Sequence, residues 1–254
     1  MLKRFTSIGF ATLIGVASSA ASADTFFGIY AGAGTWKGDW SGDIGTASSN
    51  IDVDDLGYDS EQNTSIWVAV EHPIPFIPNA KLTSTSLEAS GTGTISETFS
   101  LGGVSYTTNE TVVSDVDLSH IDGTLYYEIL DNWISLDLGI TARMFDGDAS
   151  ASGSINGASE SDFSGVIPMG YAYAKFELPF TGWFVSGTLN TLSFEDDSIT
   201  DINASVGYFS DGLMVLDWGV NVGFRQFSID AEELDDLYAD VDISGPFAEF
   251  ILHF

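Results

Sequence analysis

The last ten residues, Gly245 to Phe254, constrain the fold more than any other stretch. Side chains of an extended chain alternate between two faces. Ala248, Phe250, Leu252 and Phe254 therefore share one face, and Glu249 and His253 share the other. A strand with an exposed edge and an apolar face pairs indiscriminately unless something covers it. Pairing with the first strand of the same sheet removes the edge, and an apolar face turned outward then meets lipid. The expectation is an all-β fold, a transmembrane antiparallel up-and-down β-barrel. Its closing strand presents Phe250, Leu252 and Phe254 outward, as the insertion signal for the barrel-assembly machinery.

The same alternation runs back through the chain. Strands are expected over Thr25–Trp36, Asn63–His72, Lys81–Ser90, Ser114–Leu130, Ile134–Met144, Val166–Leu178, Trp183–Phe194, Ile199–Phe209 and Leu213–Phe227, which with the closing strand makes about ten. The fifth is the cleanest, with Ile134, Leu136, Leu138, Ile140, Ala142 and Met144 against Ser135, Asp137, Gly139, Thr141 and Arg143; the third alternates least. Short connections fall at Pro73–Pro78, Asp131-Asn132, Pro179–Gly182 and Ser210-Asp211-Gly212, all at one end. Long polar segments, Gly38–Gln62, Gly91–Val113, Asp146–Ser164 and Asp230–Asp242, are expected as loops at the other end, with strands prolonged beyond a membrane as the alternative for Gly91–Val113. An even strand number with short periplasmic turns and long external loops is the outer-membrane pattern.

Charge and targeting narrow the classes. The chain has 7 Lys+Arg against 37 Asp+Glu, a formal charge of -30, and no cysteine. Such a surface repels nucleic acid and anionic membrane faces, and neither a disulfide nor a thiolate site can form. Lys3 and Arg4, the apolar run Ile8–Val16 and the small residues Ala21-Ser22-Ala23 read as a signal peptide over 1–23. The barrel domain is then 24–254. No run of 18 apolar residues follows, so a spanning helix is not expected. A soluble barrel also alternates. Here one face is almost free of charge, as expected where Arg or Lys against lipid costs ~2–4 kcal/mol. Trp133, Trp183, Tyr127 and Phe254 gather near the short turns, as an interfacial girdle does.

Four segments, Asp55-Leu56-Gly57, Glu71-His72-Pro73-Ile74-Pro75-Phe76-Ile77-Pro78-Asn79, Leu125 to Trp133 and Val166-Ile167-Pro168-Met169, resemble those of a family of bacterial outer-membrane β-barrel proteins described as GlyGly-CTERM-associated. The resemblance implies an outer-membrane barrel in a Gram-negative bacterium. It implies no activity and no functional residue.

Chemistry is sparse. Of three histidines, only His120 is placed in the upper barrel, inward with Asp122, while Ser119 has the opposite parity. A base needs an oriented partner and a nucleophile in reach, so no catalytic residue is assigned, although outer-membrane hydrolases of protease or lipid A deacylase type are one alternative. Asp52, Asp54, Asp55, Gly57, Asp59 and Glu61 loosely resemble a calcium loop but miss its spacing, with Leu56 at the fifth position and Asn63 at the twelfth. With the acid run Glu232, Glu233, Asp235 and Asp236, they suggest weak divalent cation binding at acidic loops, with no metal site or cofactor. Eight strands give an interior about filled by side chains. Ten strands with inward Tyr126, Tyr171 and Tyr173 suggest a plugged or narrow lumen in a monomer, non-enzymatic, with a narrow channel for small solutes or cations as a second alternative. The clearest constellation is a lumen charge network: Arg143, Lys175 and Arg225 at inward parity with Asp122, Asp137, Glu177, Asp217 and Glu249. Arg143 and Arg225 are expected high, near Asp122 or Asp201, and Lys175 lower, near Glu177, Asp137 and Asp217.

Overall fold

The computed structural model describes residues 27–254 apart from 75, 196, 211–215, 235 and 236. The expected leader at 1–23, the Asp211-Gly212 turn and the side chains of Glu232, Glu233, Asp235 and Asp236 lie outside the described residues. The described chain forms β1 (Gly28–Thr46), β2 (Ser49–Asp52), β3 (Glu61–Glu71), β4 (Asn79–Ser86), β5 (Glu88–Thr94), β6 (Phe99–Leu101), β7 (Val104–Tyr106), β8 (Thr111–Asp117), β9 (His120–Asp131), β10 (Ile134–Gly153), β11 (Gly157–Glu177), β12 (Trp183–Phe194), β13 (Asp197–Ser210), β14 (Asp217–Leu234) and β15 (Leu237–His253).

Ten of these close into an antiparallel barrel. The order β11-β12-β13-β14-β15-β1-β3-β4-β9-β10 returns to β11 through a continuous β10–β11 ladder. Closure of the last strand on the first runs from Tyr30 opposite His253 to Gly45 opposite Tyr238. In the last strand Phe250 and Phe254 are exposed and Leu252 is half-buried, all on the outside, while His253 stacks on Tyr30 inside at 4.1 Å between ring centroids. No helix among the described residues is long and apolar enough to cross a membrane, which says nothing of strands.

All four segments expected as loops are largely strand, Gly91–Val113 through β5, β6, β7 and β8. β10 and β11 run through Asp146–Ser164 and meet at Gly153 opposite Gly157. β14 and β15 do the same through Asp230–Asp242, and β1 continues to Thr46. The cause is the small size of the inward residues. Ala149, Ala151, Ala231 and Ala239 are buried, with Phe163, Ile229, Val241 and Ile243 among them, while acids and serines occupy the outer face. Alternating Ala with Asp or Ser reads as polar loop by composition but keeps the period of two.

The expected third and fourth strands are each interrupted once, at Leu87 and at Leu118-Ser119. Both leucines are buried, and they are tied by Leu118 N to Leu87 O at 2.8 Å and by Leu87 N to Ser119 Oγ at 3.0 Å. β8 and β9 thus lie end to end along one edge of β10. A bulge faces Leu136 and Asp137. It leaves Ile129 and Leu130 both exposed and brings Asp131 to the inside. Bulges re-aim side chains in this way.

The two halves of the barrel are filled oppositely. Toward the long-strand end the interior is apolar, with Trp36, Trp40, Phe145, Phe163, Phe227 and Ile243 in one buried cluster. The β6–β7 hairpin adds Phe99, Leu101 and Tyr106 to that cluster. Its turn is Gly102-Gly103, both at positive φ (54° and 77°), a two-residue hairpin that glycine permits without strain. Toward the short-turn end the interior is polar, and the outer face carries Ile66, Val68, Leu125, Leu138, Ile140, Val166, Val206 and Val222, all exposed.

Candidate functional site: the lumen of the short-turn half

The polar lumen begins directly beneath the apolar cluster, with a chain of four charges. Arg143 and Asp122 are opposite each other on β10 and β9. Arg143 donates Nε to Asp122 Oδ1 at 2.8 Å and Nη2 to Oδ2 at 2.7 Å, and reaches across the lumen to Asp201 Oδ2 at 2.8 Å. Arg225 donates to both oxygens of the same Asp201, at 2.9 and 2.6 Å. Two-pronged Arg–carboxylate pairing is the strong form of this contact. Aromatic rings close it from above: the Arg143 guanidinium lies 5.2 Å from the Phe227 ring and that of Arg225 4.7 Å from Trp36.

Below lies a cavity of about 340 Å³ that reaches the short-turn end, since Asp131, Glu177 and His253 are among its lining. Lys81 sits 4.4 Å over the Trp67 ring, and Trp67 Nε1 donates to Glu249 Oε2 at 2.6 Å. Asn221 Nδ2 reaches Glu249 Oε1 at 3.4 Å. Tyr126 donates to Glu71 at 2.8 Å, and its ring lies 5.7 Å from that of Tyr171. Glycine makes room for one of these rings and for the backbone that carries another. A Cβ on Gly32 would stand 2.3 Å from Trp67 Nε1, and one on Gly139 2.1 Å from Leu125 O and 2.7 Å from Tyr126 Cα. Lys175 pairs with Glu177 at 2.8 Å near the mouth.

The expected network is thus divided. Arg143, Arg225, Asp122 and Asp201 meet in one cluster. Lys175 meets Glu177, whereas Asp217 faces His253 at 3.6 Å and Glu249 binds Trp67 and Asn221. Asp137 is 6% exposed and lines the cavity without a hydrogen bond to its Oδ1. Lys81, Trp67 and Asp131 were not read from the sequence as lumen groups. Lys81 lies in the weakest alternation, and Asp131 is turned inward only by the bulge. Strict parity counted back from Asn79, opposite Tyr126, finds Lys81.

His120 is enclosed above the arginine cluster, between the rings of Phe145 and Phe227, with Nδ1 2.9 Å from Leu118 O. Ser119 is turned away and accepts from Leu87 N. The acids of the stretch that loosely resembles a calcium loop bond to protein: Asp52 Oδ1 accepts from Asp54 N at 2.9 Å within the turn, and Asp55 accepts from Ser96 of another segment. Among the described residues no three His, Cys, Asp or Glu are grouped to hold a metal ion.

Outside the long-strand half the carboxylates form cross-strand rows, Glu88–Asp117–Asp148–Asp162 and Asp52–Asp43–Asp240–Asp230. Burial and then the neighbouring Asp117, Glu160 and Asp162 hold the Asp148 carboxyl above its ordinary range; burial and then Asp230, Asp242 and Asp43 do so for Asp240. Glu110 is the opposite case. Burial raises it, but the amides of Thr107, Asn156 and Ile155 and the Asn156 side chain outweigh that and bring it down to about 2. No protein-family model matches this sequence, and no curated protein is similar to it.

Proposed function

We propose that this chain is a monomeric outer-membrane β-barrel of a Gram-negative bacterium, non-enzymatic and closed to through-flow, with an acidic external rim and a polar cavity facing the periplasm. The observation that carries the reading is the inverted polarity of the short-turn half. Its outer surface is apolar, with Ile66, Ile140, Val166 and Val222 each more than 60% exposed, while its interior holds the charges. A soluble barrel places these the other way, whereas an outer-membrane barrel requires it. On β10 the apolar outer face spans Ile134 to Met144, matching the ~9–11 residues of a tilted crossing. Exposed Trp133, Trp183, Phe180, Phe76 and Phe254 ring the short-turn end, where an aromatic girdle meets headgroups. The resemblance of Glu71–Asn79 to outer-membrane barrels points the same way.

The packed core and its β6–β7 hairpin stand in the path of any solute, which favours closure over a narrow channel. His120 is 3% exposed and enclosed between the rings of Phe145 and Phe227, out of a substrate's reach, which favours a non-enzymatic role over a hydrolase. The acidic rows suit screening by salt or weakly held divalent cations, and Phe250, Leu252 and Phe254 suit recognition by the assembly machinery. Fractionation tests the location. The protein is expected in the outer-membrane fraction, and its unboiled band is expected to migrate apart from the boiled one. Recovery in the soluble periplasm would sink the reading.

A further inference from the structure

We infer that the lumen cavity beneath the arginine cluster is a binding site for a small linear diammonium compound entering from the short-turn end. The inference stands on the cavity and holds for the barrel in lipid or in detergent.

Charge comes first. Glu71, Glu128, Asp131, Asp137, Glu177 and Glu249 line the cavity against Lys81 and Lys175. Lys175 is taken by Glu177, and the Lys81 ammonium rests on the Trp67 ring. Like charges confined in one enclosed volume repel, and a bound cation relieves them.

The second observation is independent of charge. Two residues of this lining, Asp137 and Asn221, each carry a buried Oδ1 acceptor without a hydrogen-bond partner; they are 6% and 8% exposed. The Asn221 amide is oriented by its own donation to Glu249, so its oxygen is the free end. Buried acceptors left unpaired call for donors, and an ammonium carries three.

The walls decide between kinds of cation. Tyr30, Trp67, Tyr126, Tyr171 and Tyr173 present rings to the cavity, and aromatic faces attract organic ammonium ions. They offer nothing to a hard metal ion, and the carboxylates are spread over β3, β9, β10, β11 and β15. A cavity of about 340 Å³ is at the small end of ligand sites, roughly 300–1,000 Å³.

Two ammonium groups fit better than one. Asp137 marks the deep end, and the mouth acid Asp131 lies opposite Ser135, two residues lower on β10. At ~3.3 Å per strand residue that is about 7 Å, the reach of a short alkyl chain.

The test is calorimetric titration of the folded chain in detergent micelles with 1,4-diaminobutane, against 1,4-butanediol and calcium chloride. One saturable site is expected for the diamine and none for the diol. Asp137→Asn is expected to weaken binding more than tenfold, and Asp131→Asn at the exposed mouth several-fold. Glu160→Gln on the outer wall is expected to change nothing. Heat-modifiable migration of each variant reports the barrel separately from the site, and Asp131→Asn carries the test if Asp137→Asn does not fold. A folded wild-type barrel that takes up no diamine overturns the inference and leaves the proposed function standing. Binding matched by the diol or by calcium, or a loss in Glu160→Gln equal to that in the lumen variants, overturns it equally.

Discussion

Arg143 is fully buried, and its cost is met by Asp122 on the adjacent strand and Asp201 across the lumen. Removing one partner of a buried pair leaves the other charge unmatched, which costs ~3–5 kcal/mol. Arg143→Ala is therefore expected to lower unfolding stability in detergent by about that amount. Lys37→Ala, at an exposed outer position, is expected to leave it nearly unchanged. Equal midpoints in a denaturant titration would show that the cluster does not hold the lumen. The inward parity of Arg143 and Arg225 was legible because their strands alternate cleanly. The role of Asp201 as the shared centre was legible only as one of two candidates, since it depends on which strand lies across the barrel.

Among elements, the long hairpin β10–β11 depends on one carboxylate. Glu110 is fully buried and accepts from the Ile155 and Asn156 amides at 2.7 and 2.8 Å and from Asn156 Nδ2 at 2.7 Å, binding the start of β8 to the hairpin tip. Its folded pKa is depressed, so this stabilisation is present above the ordinary value of 4.5 and is lost as pH falls toward about 2. Amide-exchange protection of Ile155 and Asn156, corrected for intrinsic rate, is expected to fall across that window. In Glu110→Gln it is expected to be lower at neutral pH and flat with acid. A wild-type profile that stays flat would contradict the clamp. The acidic rows act with the opposite sign: Asp148 and Asp240 are raised, so protonation favours the folded form as pH falls through their folded values.

For the whole molecule, polarity inverts once along the barrel axis. The short-turn half is apolar outside and charged within, and the other half is acidic outside and packed with Trp36, Trp40, Phe99 and Phe163 within. On the proposed outer-membrane reading the first half meets lipid and the second water, with the arginine cluster at the join. Purified barrel in planar bilayers is therefore expected to give no steady single-channel conductance; reproducible ohmic steps would overturn closure. Substituting lumen charges alone is not expected to open a path, because the apolar core lies above them.

What the chain determined by itself is whatever travels with a period of two. Closure of the first strand, as far as Trp36, on the last, the number of barrel strands and the inward arginines all follow from the pleat, which is local and written residue by residue. Small residues blurred the same signal: alternating Ala with Asp or Ser hid the upper strands, and Gly102-Gly103 went unread as a hairpin turn. Tertiary structure alone decided what meets across the lumen. Arg143 finding Asp201, the bulge turning Asp131 inward, and Asp137 and Asn221 lining the cavity unpaired depend on the registers of ten strands closing together. No single strand encodes that sum, so no reading of strands one at a time recovers it.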